Sequence, residues 1–173
     1  IGGKTGVEIE TLLTDDLLNM VGSETHIAKT VTNLFANAID AMPAGGRLTI
    51  ATRDCYVDEP YTGFEIVPEG EYTQINISDT GIGMQPSDLV KIFEPFYTKK
   101  TMGRSGTGLG MAVVWGTVKD HRGYIDVRSS EGVGTEITLY FPVTRKKFKQ
   151  TDDLSAHGIP QGGGETIMVV DDI

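Results

Sequence analysis

Apolar positions recur along this chain at the spacings of strands and of helices, and this predicts an alternation of the two. Five segments are β-rich or alternate between apolar and polar residues, so we expect them to be strands. They are residues 7–11, 47–56, 72–78, 124–128 and 135–141. The first is expected at an edge of the sheet, and a Gly-containing turn is expected to join the last two.

Three segments carry helical patterns. The longest follows Ser23, a capping residue, shows an apolar stripe over Ile27–Met42 and ends at Pro43. Pro86–Phe93 is expected to be a short helix and Gly108–His121 a second core helix. Since the strands come in pairs with few crossovers, we predict an α+β fold whose mixed, mostly antiparallel sheet carries helices on one face.

The composition changes after Pro142, and this divides the chain. We expect residues 1–143 to form one domain and residues 144–164 to form a linker that is charged and then Gly-rich. Residues 165–173 would begin a second domain with a buried strand that ends in Asp171 and Asp172. The chain begins without Met in the middle of a pattern, so we treat it as a piece of a longer protein.

Charge and composition exclude some classes of protein. The net charge is −9, and the only basic run, at 145–149, has the character of a solvated linker, so we expect no nucleic-acid partner. Cys55 is the single cysteine, which argues against a disulfide framework and a cysteine metal site. Without a signal peptide or a bilayer-spanning run, we expect a cytoplasmic location and no direct membrane contact by this segment, while a membrane anchor elsewhere in the parent protein stays open.

Two amides on the first helix form the first candidate site. Asn33 and Asn37 are four residues apart, so they share one face beside the apolar stripe. An amide oxygen is a hard, neutral ligand that suits Mg²⁺. The alternative is a pair of helix-flank amides without a role.

A strand end supplies the second candidate. Ser78-Asp79-Thr80-Gly81-Ile82-Gly83-Met84 follows a predicted strand directly. One interpretation is a simple turn, because Asp and Gly are turn residues. The other is a ligand site in which Asp79 accepts a hydrogen bond from an exocyclic amine and the glycines allow close approach.

The third candidate runs from Gly103 into a helix near Gly110. Glycines before a helix start leave backbone N–H groups free for phosphate oxygens. Lys99, Lys100 and Arg104 place cations on the same segment. The alternative is a flexible loop with solvated cations. The sequence is not a P-loop, since no Gly-Lys-Ser/Thr follows.

Together these segments resemble a known family. TNLFANAID, SDTGIGM, FEPFYTKK and GTGLGM are similar, in this order, to the N box, first glycine box, F box and second glycine box of the histidine kinase ATP-binding family, a branch of the GHKL ATPases. EGVGTEITLYFP resembles the closing hairpin of that family. The resemblance covers roughly residues 23–143 and implies the two-layer α/β sandwich of the Bergerat fold, with ATP and Mg²⁺ bound.

The resemblance also implies roles for individual residues. Asn37 would hold Mg²⁺, with Asn33 close by, and Asp79 would accept from the adenine amino group with support from Thr135. The base pocket would be shaped by Gly81, Gly83 and Met84. The phosphates would be wrapped by Gly106, Thr107, Gly108, Leu109 and Gly110. The lid over the nucleotide would be residues 97–105, including Tyr97 and Thr98, with Lys100 and Arg104 as candidate catalytic contacts beside Asn37 and with Phe93 and Phe96 as anchors.

The segment departs from the family pattern in two features, a basic residue at position 40 and a phospho-acceptor histidine. Asp40 stands where many sensor kinases carry a basic residue. None of His26, His121 and His157 has the sequence context of a phospho-acceptor histidine. The implied partners are therefore a histidine-bearing dimerisation domain of the same protein and a receiver domain or response regulator. Residues 165–173 resemble the start of such a receiver, which implies a hybrid kinase.

Two other classes of function stay open at this point. The gyrase, mismatch-repair and heat-shock chaperone ATPases share the implied architecture but carry a hydrolytic Glu where this chain has Asn33, and an amide cannot act as that base. A degenerate domain that binds nucleotide without transferring phosphate is the other alternative.

Overall fold

The computed structural model describes residues 6–98 and 108–145 of the chain. Within that part the helices are α1 (Glu24–Asp40), α2 (Pro86–Leu89) and α3 (Gly110–Asp120). The strands are β1 (Val7–Leu12), β2 (Gly46–Val57), β3 (Tyr61–Thr62), β4 (Ile66–Val67), β5 (Gly70–Asp79), β6 (Tyr124–Ser130) and β7 (Gly134–Pro142).

The main sheet has the strand order β1-β2-β5-β7-β6. β1 pairs with β2 in parallel at one edge, and the other neighbours pair antiparallel. This confirms the predicted α+β fold with a mixed, mostly antiparallel sheet. The small hairpin of β3 and β4 was not predicted, because its strands are too short to carry an alternating pattern.

Helix α1 begins where the capping chemistry predicts. The Ser23 hydroxyl accepts from the His26 N–H, and Glu24 lies in the first turn, where the helix dipole favours an acid. The stripe through Leu34 and Ala38 is buried, and the helix ends beside Ala41. The apolar face thus fixes how the polar flank of α1 is presented to the rest of the domain.

The core lies between the sheet and the two longer helices. α1 and α3 pack against each other and on the same face of the sheet. The largest fully buried apolar side chains are Phe141, Leu34, Leu48, Ile125, Leu139, Val67, Val114 and Val118. Among residues 6–98 and 108–145, no helix combines the length and the apolar character that a membrane crossing requires.

The region before the predicted lid departs from the expected helix. α2 ends at Leu89, four residues before Phe93, and the chain continues in turns. These turns allow Ile92 to enter the core and Phe93 to pack against Phe64 and Trp115, with ring centroids 5.2 and 5.0 Å away. Aromatic contacts with other elements therefore override the helical pattern here.

The described chain ends against the sheet. The Thr144 N–H donates to the Asn19 carbonyl at 2.7 Å, and the Arg145 guanidinium binds both carboxylate oxygens of Glu71. The first two residues of the predicted linker are therefore fixed to the domain. The rest of the linker and the predicted receiver start at 165–173 lie outside the described residues, so the proposed division of the chain stays a prediction.

Candidate functional site

One cavity of about 680 Å³ opens between α1, the ends of β5 and β7, and the segment after α2. Its size is typical of a pocket for a small ligand. Of the residues predicted from the sequence to contact a ligand, those that line it are Asn37, Asp79, Gly83, Met84, Tyr97, Thr98 and Thr135. The fold thus brings together residues that are almost one hundred positions apart.

Asp79 forms the polar floor of this cavity. It is the last residue of β5 and the direct cross-strand partner of Thr135 on β7. The Gly81 N–H donates to its Oδ1 at 2.8 Å. Burial raises the pKa of the Asp79 carboxyl above its ordinary value, and the backbone N–H groups of Gly81 and Thr135 partly offset that rise. The support of Asp79 by Thr135 is therefore a main-chain hydrogen bond.

The loop after Asp79 is held from two sides. The Ile82 N–H donates to the Ala41 carbonyl at the end of α1, and the Gly132 N–H of the β6–β7 turn donates to the Ile82 carbonyl. Gly83 has a φ of +64°, and a Cβ there would lie 1.9 Å from the Ser130 carbonyl oxygen. A glycine is required at this position because the backbone passes against the β6–β7 turn.

Asn37 faces the cavity from α1. Its Nδ2 is buried and has no hydrogen-bond partner among the described residues. A buried amide donor without a protein partner is costly, so a bound ligand or a water molecule is needed to satisfy it. Asp40, one turn further along, also lines the cavity.

Asn33 lies elsewhere on the same helix. It is absent from the described lining of the cavity and is near α3, where a Cβ on Gly110 would be 3.8 Å from the Asn33 Cγ. The predicted proximity of Asn33 to a metal thus has no support from the cavity wall and stays a prediction.

The base of the predicted lid is fixed by Tyr97. Its phenol O–H donates to Asp88 Oδ1 at 2.8 Å, and Asp88 is itself only 7% exposed. The Phe96 N–H donates to the Gly108 carbonyl at 3.0 Å, so the chain segments before and after residues 97–107 meet. The Phe96 side chain is 73% exposed, whereas Phe93 packs against the core. The role of these two residues as anchors of the lid stays a prediction.

The C-terminal end of the second glycine segment lies next to the cavity. Gly108, Leu109 and Gly110 lead into α3, and Met111 lines the cavity. Gly108 has a φ of +67°, and a Cβ there would lie 2.6 Å from the Phe96 carbonyl carbon. Lys100, Arg104, Gly106 and Thr107 lie outside the described residues.

Residues 22–145 match the family described as "Histidine kinase-, DNA gyrase B-, and HSP90-like ATPase". The chain belongs to this family of ATPases. The match spans both the Asp79 floor and the Asn37 helix of the cavity.

Proteins similar to this chain are named as kinases. Over 155 residues the chain is 36% identical to the sensor kinase CckA of Brucella abortus, covering 81% of the chain and 16% of CckA. Over 149 residues it is 29% identical to sporulation kinase E of Bacillus subtilis, covering 86% of the chain and 18% of that kinase. The chain therefore spans less than a fifth of the length of these relatives.

Solved structures of family members agree with the fold. The mycobacterial sensor histidine kinase MprB superposes with a TM-score of 0.61 at 25% identity, over 79% of this chain and 82% of that one. The predicted two-layer sandwich is confirmed, with ATP as the nucleotide of the family.

Sequence reasoning missed most of the apolar walls of this cavity. The strand alternation was a usable signal, because Ile77 and Ile137 lie two residues from Asp79 and Thr135 and so face the same side. Asp88 carried no local signal, since its role depends on Tyr97. The lining residues not named from the sequence as ligand contacts are Leu34, Ala38, Asp40, Ala41, Ile77, Ile82, Gln85, Asp88, Ile92, Met111, Glu131, Gly132 and Ile137.

Proposed function

We propose that this chain is the ATP-binding catalytic region of a two-component sensor histidine kinase. It transfers the γ-phosphoryl group of ATP to a histidine on a separate dimerisation domain, from which the group passes to an aspartate of a receiver domain. The observation that carries the proposal is that Asn37, Asp79 and Thr135 line one cavity although they come from three different elements. The boxes that relate the sequence to kinases thus converge in space.

Adenine occupies the end of the cavity at Asp79. The exocyclic amine donates to the carboxylate, which the Gly81 and Thr135 N–H groups hold in place. The apolar wall from Ile77, Ile137 and Met84 contacts the faces of the base. The base is therefore recognised by one hydrogen-bonded edge within an apolar slot.

The triphosphate extends towards Asn37 and the start of α3. Helix α3 has no acid in its first turn, so its N-terminus is suited to face phosphate oxygens. Lys100 and Arg104 are proposed to contact the terminal phosphates, and Gly106 and Thr107 to contact the phosphates through their N–H groups. Catalysis then consists of positioning and of charge stabilisation at the transferred group.

Mg²⁺ fits the residues present on this side. The described residues hold no cluster of three or more His, Cys, Asp or Glu side chains. A nucleotide-bound Mg²⁺ needs few protein ligands because it keeps waters and phosphate oxygens, and the Asn37 amide oxygen would supply one hard ligand. The ion would neutralise charge on the triphosphate. The unpartnered Asn37 Nδ2 is then available to donate to a phosphate oxygen.

The nucleophile comes from another domain. The acceptor imidazole must reach the γ-phosphate from outside the pocket, so the domain that carries it must dock near the mouth. Phe96 is exposed beside the pocket-lining Tyr97 and has a positive φ of 67°. An exposed aromatic residue here is suited to contact the apolar face of a helical domain.

An ATP-driven clamp is a weaker explanation. It needs a general base near the attacking water, and Asn33 stands where the clamp ATPases carry Glu. An amide cannot accept that proton, and Asn33 is absent from the described cavity wall. Transfer to a histidine needs no such base on this segment.

Incubation with γ-labelled ATP and a supplied dimerisation domain tests the proposal. Label is expected on the acceptor histidine, with loss of transfer in Asn37→Ala and retention in Thr32→Ala, a matched change on the exposed side of the same helix. An acceptor domain without its histidine should stay unlabelled. ATP binding without transfer to any supplied acceptor would favour a non-catalytic nucleotide-binding module instead.

A further inference from the structure

The hydroxyl of Ser129, near the end of β6, joins three parts of the base pocket. Its Oγ lies 2.8 Å from the Met84 N, 3.0 Å from the Gly134 carbonyl oxygen and 2.9 Å from Thr135 Oγ1. Ser129 itself does not line the cavity, whereas Met84 and Thr135 do. Any effect of Ser129 on a nucleotide is therefore exerted through those two residues.

The chemistry of the three neighbours fixes the direction of each hydrogen bond. A backbone N–H only donates, so the Ser129 oxygen accepts from Met84. A carbonyl oxygen only accepts, so the single hydroxyl proton of Ser129 goes to Gly134. The remaining lone pair of Ser129 can only accept, and therefore the Thr135 hydroxyl donates its proton to Ser129.

This arrangement determines what Thr135 offers to a ligand. With its proton committed to Ser129, the Thr135 hydroxyl presents only lone pairs to the cavity. The neighbouring Asp79 carboxylate, its cross-strand partner, is likewise an acceptor when ionised. The polar floor of the pocket therefore presents acceptors, and it favours a base whose edge carries an amine over a base whose edge carries a carbonyl.

We infer that Ser129 is a positioning residue that sets the base specificity of the pocket by orienting the Thr135 hydroxyl. The inference rests on the proposed function, because it takes ATP as the ligand. A carbonyl in place of the adenine amine meets two acceptors and no donor. Without the Ser129 oxygen, the Thr135 hydroxyl is free to rotate and to donate to that carbonyl.

A purely structural role for Ser129 makes a different prediction. If the hydroxyl only tied the loop after Asp79 to the β6–β7 turn, its loss would weaken all purine nucleotides by the same factor. The ratio of two dissociation constants separates the two roles. Inosine triphosphate is the suitable probe, because its base carries a carbonyl in place of the amine and an N1–H in place of the adenine N1 lone pair, so both positions of this edge change their hydrogen-bonding character.

The experiment measures the Kd of ATP and of inosine triphosphate by calorimetry, with Mg²⁺, for the wild type and for Ser129→Ala. The expected result is a fall of about tenfold in the preference for ATP, the size of one hydrogen bond in a binding constant. Ser130→Ala is the matched control, since Ser130 is the exposed neighbour on the opposite face of β6, and it should keep the wild-type preference. Ser129→Thr keeps the hydroxyl and should retain most of the preference.

A second background tests whether Ser129 acts through Thr135. In Thr135→Val the hydroxyl is gone, so adding Ser129→Ala should leave the ratio unchanged. If Ser129→Ala does not fold, Ser129→Cys replaces it, and a thiol with its weaker hydrogen bonds should give an intermediate ratio. The inference is overturned if Ser129→Ala or Ser129→Cys leaves the ratio of the two dissociation constants unchanged. It is also overturned if Ser129→Ala shifts that ratio equally in the Thr135→Val background. In either case, ATP binding by the wild type still supports the proposed function. Failure of the wild type to bind ATP overturns the proposed function itself.

Discussion

Around Asp79 the protein supplies its own hydrogen bonds, whereas across the cavity the Asn37 amide nitrogen is buried without a partner among the described residues. The proposed adenine end is held by the strand pair β5–β7 and by the β6–β7 turn. The proposed phosphate end depends on one helix and on the base of a loop. We therefore propose that one end of the pocket is organised before a nucleotide arrives and that the other is completed by the nucleotide.

This difference separates specificity from turnover. A rigid set of acceptors can select a base without moving. A donor that gains its partner only with ATP contributes to binding of the triphosphate and to its alignment. Substitutions at the two ends should therefore separate base recognition from phosphoryl transfer.

The largest effect is expected at the phosphate end. Asn37→Ala removes the proposed Mg²⁺ ligand and the free amide donor, and should lower phosphoryl transfer on the order of 100-fold, as for loss of one preorganised charge-stabilising group. Adenosine, which has no phosphates, should bind with unchanged affinity. Transfer assays and adenosine calorimetry check this together, and an equal loss of adenosine binding would show that the two ends are not separate.

At the adenine end, Asp79→Asn should weaken ATP binding by roughly 1–3 kcal/mol, the cost of a lost buried polar partner. The amide presents a donor where the carboxylate accepted. The unliganded protein should not lose stability, because burial already penalises the ionised carboxylate. Calorimetry and thermal unfolding provide the two readouts. Unchanged ATP affinity would contradict the role of Asp79.

The hydrogen bond between Tyr97 and Asp88 at the cavity wall is expected to have a smaller effect, and this effect is on stability. Tyr97→Phe removes the phenol bond to Asp88 and keeps the ring in the cavity wall. We expect the free energy of unfolding to fall by about 0.5–1.5 kcal/mol, the net value of one such bond. Tyr56→Phe is a control, because it removes an exposed phenol bond to Glu69 far from the cavity and should cost less. An equal fall in the free energy of unfolding in the two variants would show that the Tyr97 hydrogen bond stabilises the protein no more than an exposed one.

The smallest effect concerns pH. Because burial raises the Asp79 pKa, acidification should protonate this carboxyl earlier than an ordinary Asp and weaken adenosine binding. Adenosine avoids the titration of the phosphates. The sign for stability is opposite: a raised pKa in the folded state contributes stability when the group is protonated, and this is lost as pH rises through the raised value. In Asp79→Asn, adenosine affinity should not change over that range, and a wild-type affinity that is equally flat would contradict the assignment.

Local sequence signals were sufficient for the helix of Asn37 and for the strand end at Asp79. Both rest on spacing within one element: the apolar stripe of α1 and the acid followed by glycines. The pairing of Asp79 with Thr135 depends on strand register across 56 positions, which no local pattern specifies. It was available only through the resemblance to a family.

The contacts of Ser129 and Asp88 could not be predicted from local sequence patterns for a related reason. Each acts through a partner on another element, Ser129 through Met84 and Thr135, and Asp88 through Tyr97. The length of α2 was mispredicted because the aromatic contacts of Phe93 are also long-range. Side chains that position other side chains become visible only when the elements are assembled.

Asn37 and Asp79 are proposed to contact the two ends of one bound ATP. A crystal structure of the chain with a non-hydrolysable ATP analogue and Mg²⁺ would place both ends of the nucleotide in a single measurement. We expect the adenine amine within about 3.2 Å of the Asp79 carboxylate and the Asn37 amide oxygen in contact with the metal. An analogue bound in another cavity, or one that contacts only one of the two residues, would contradict it.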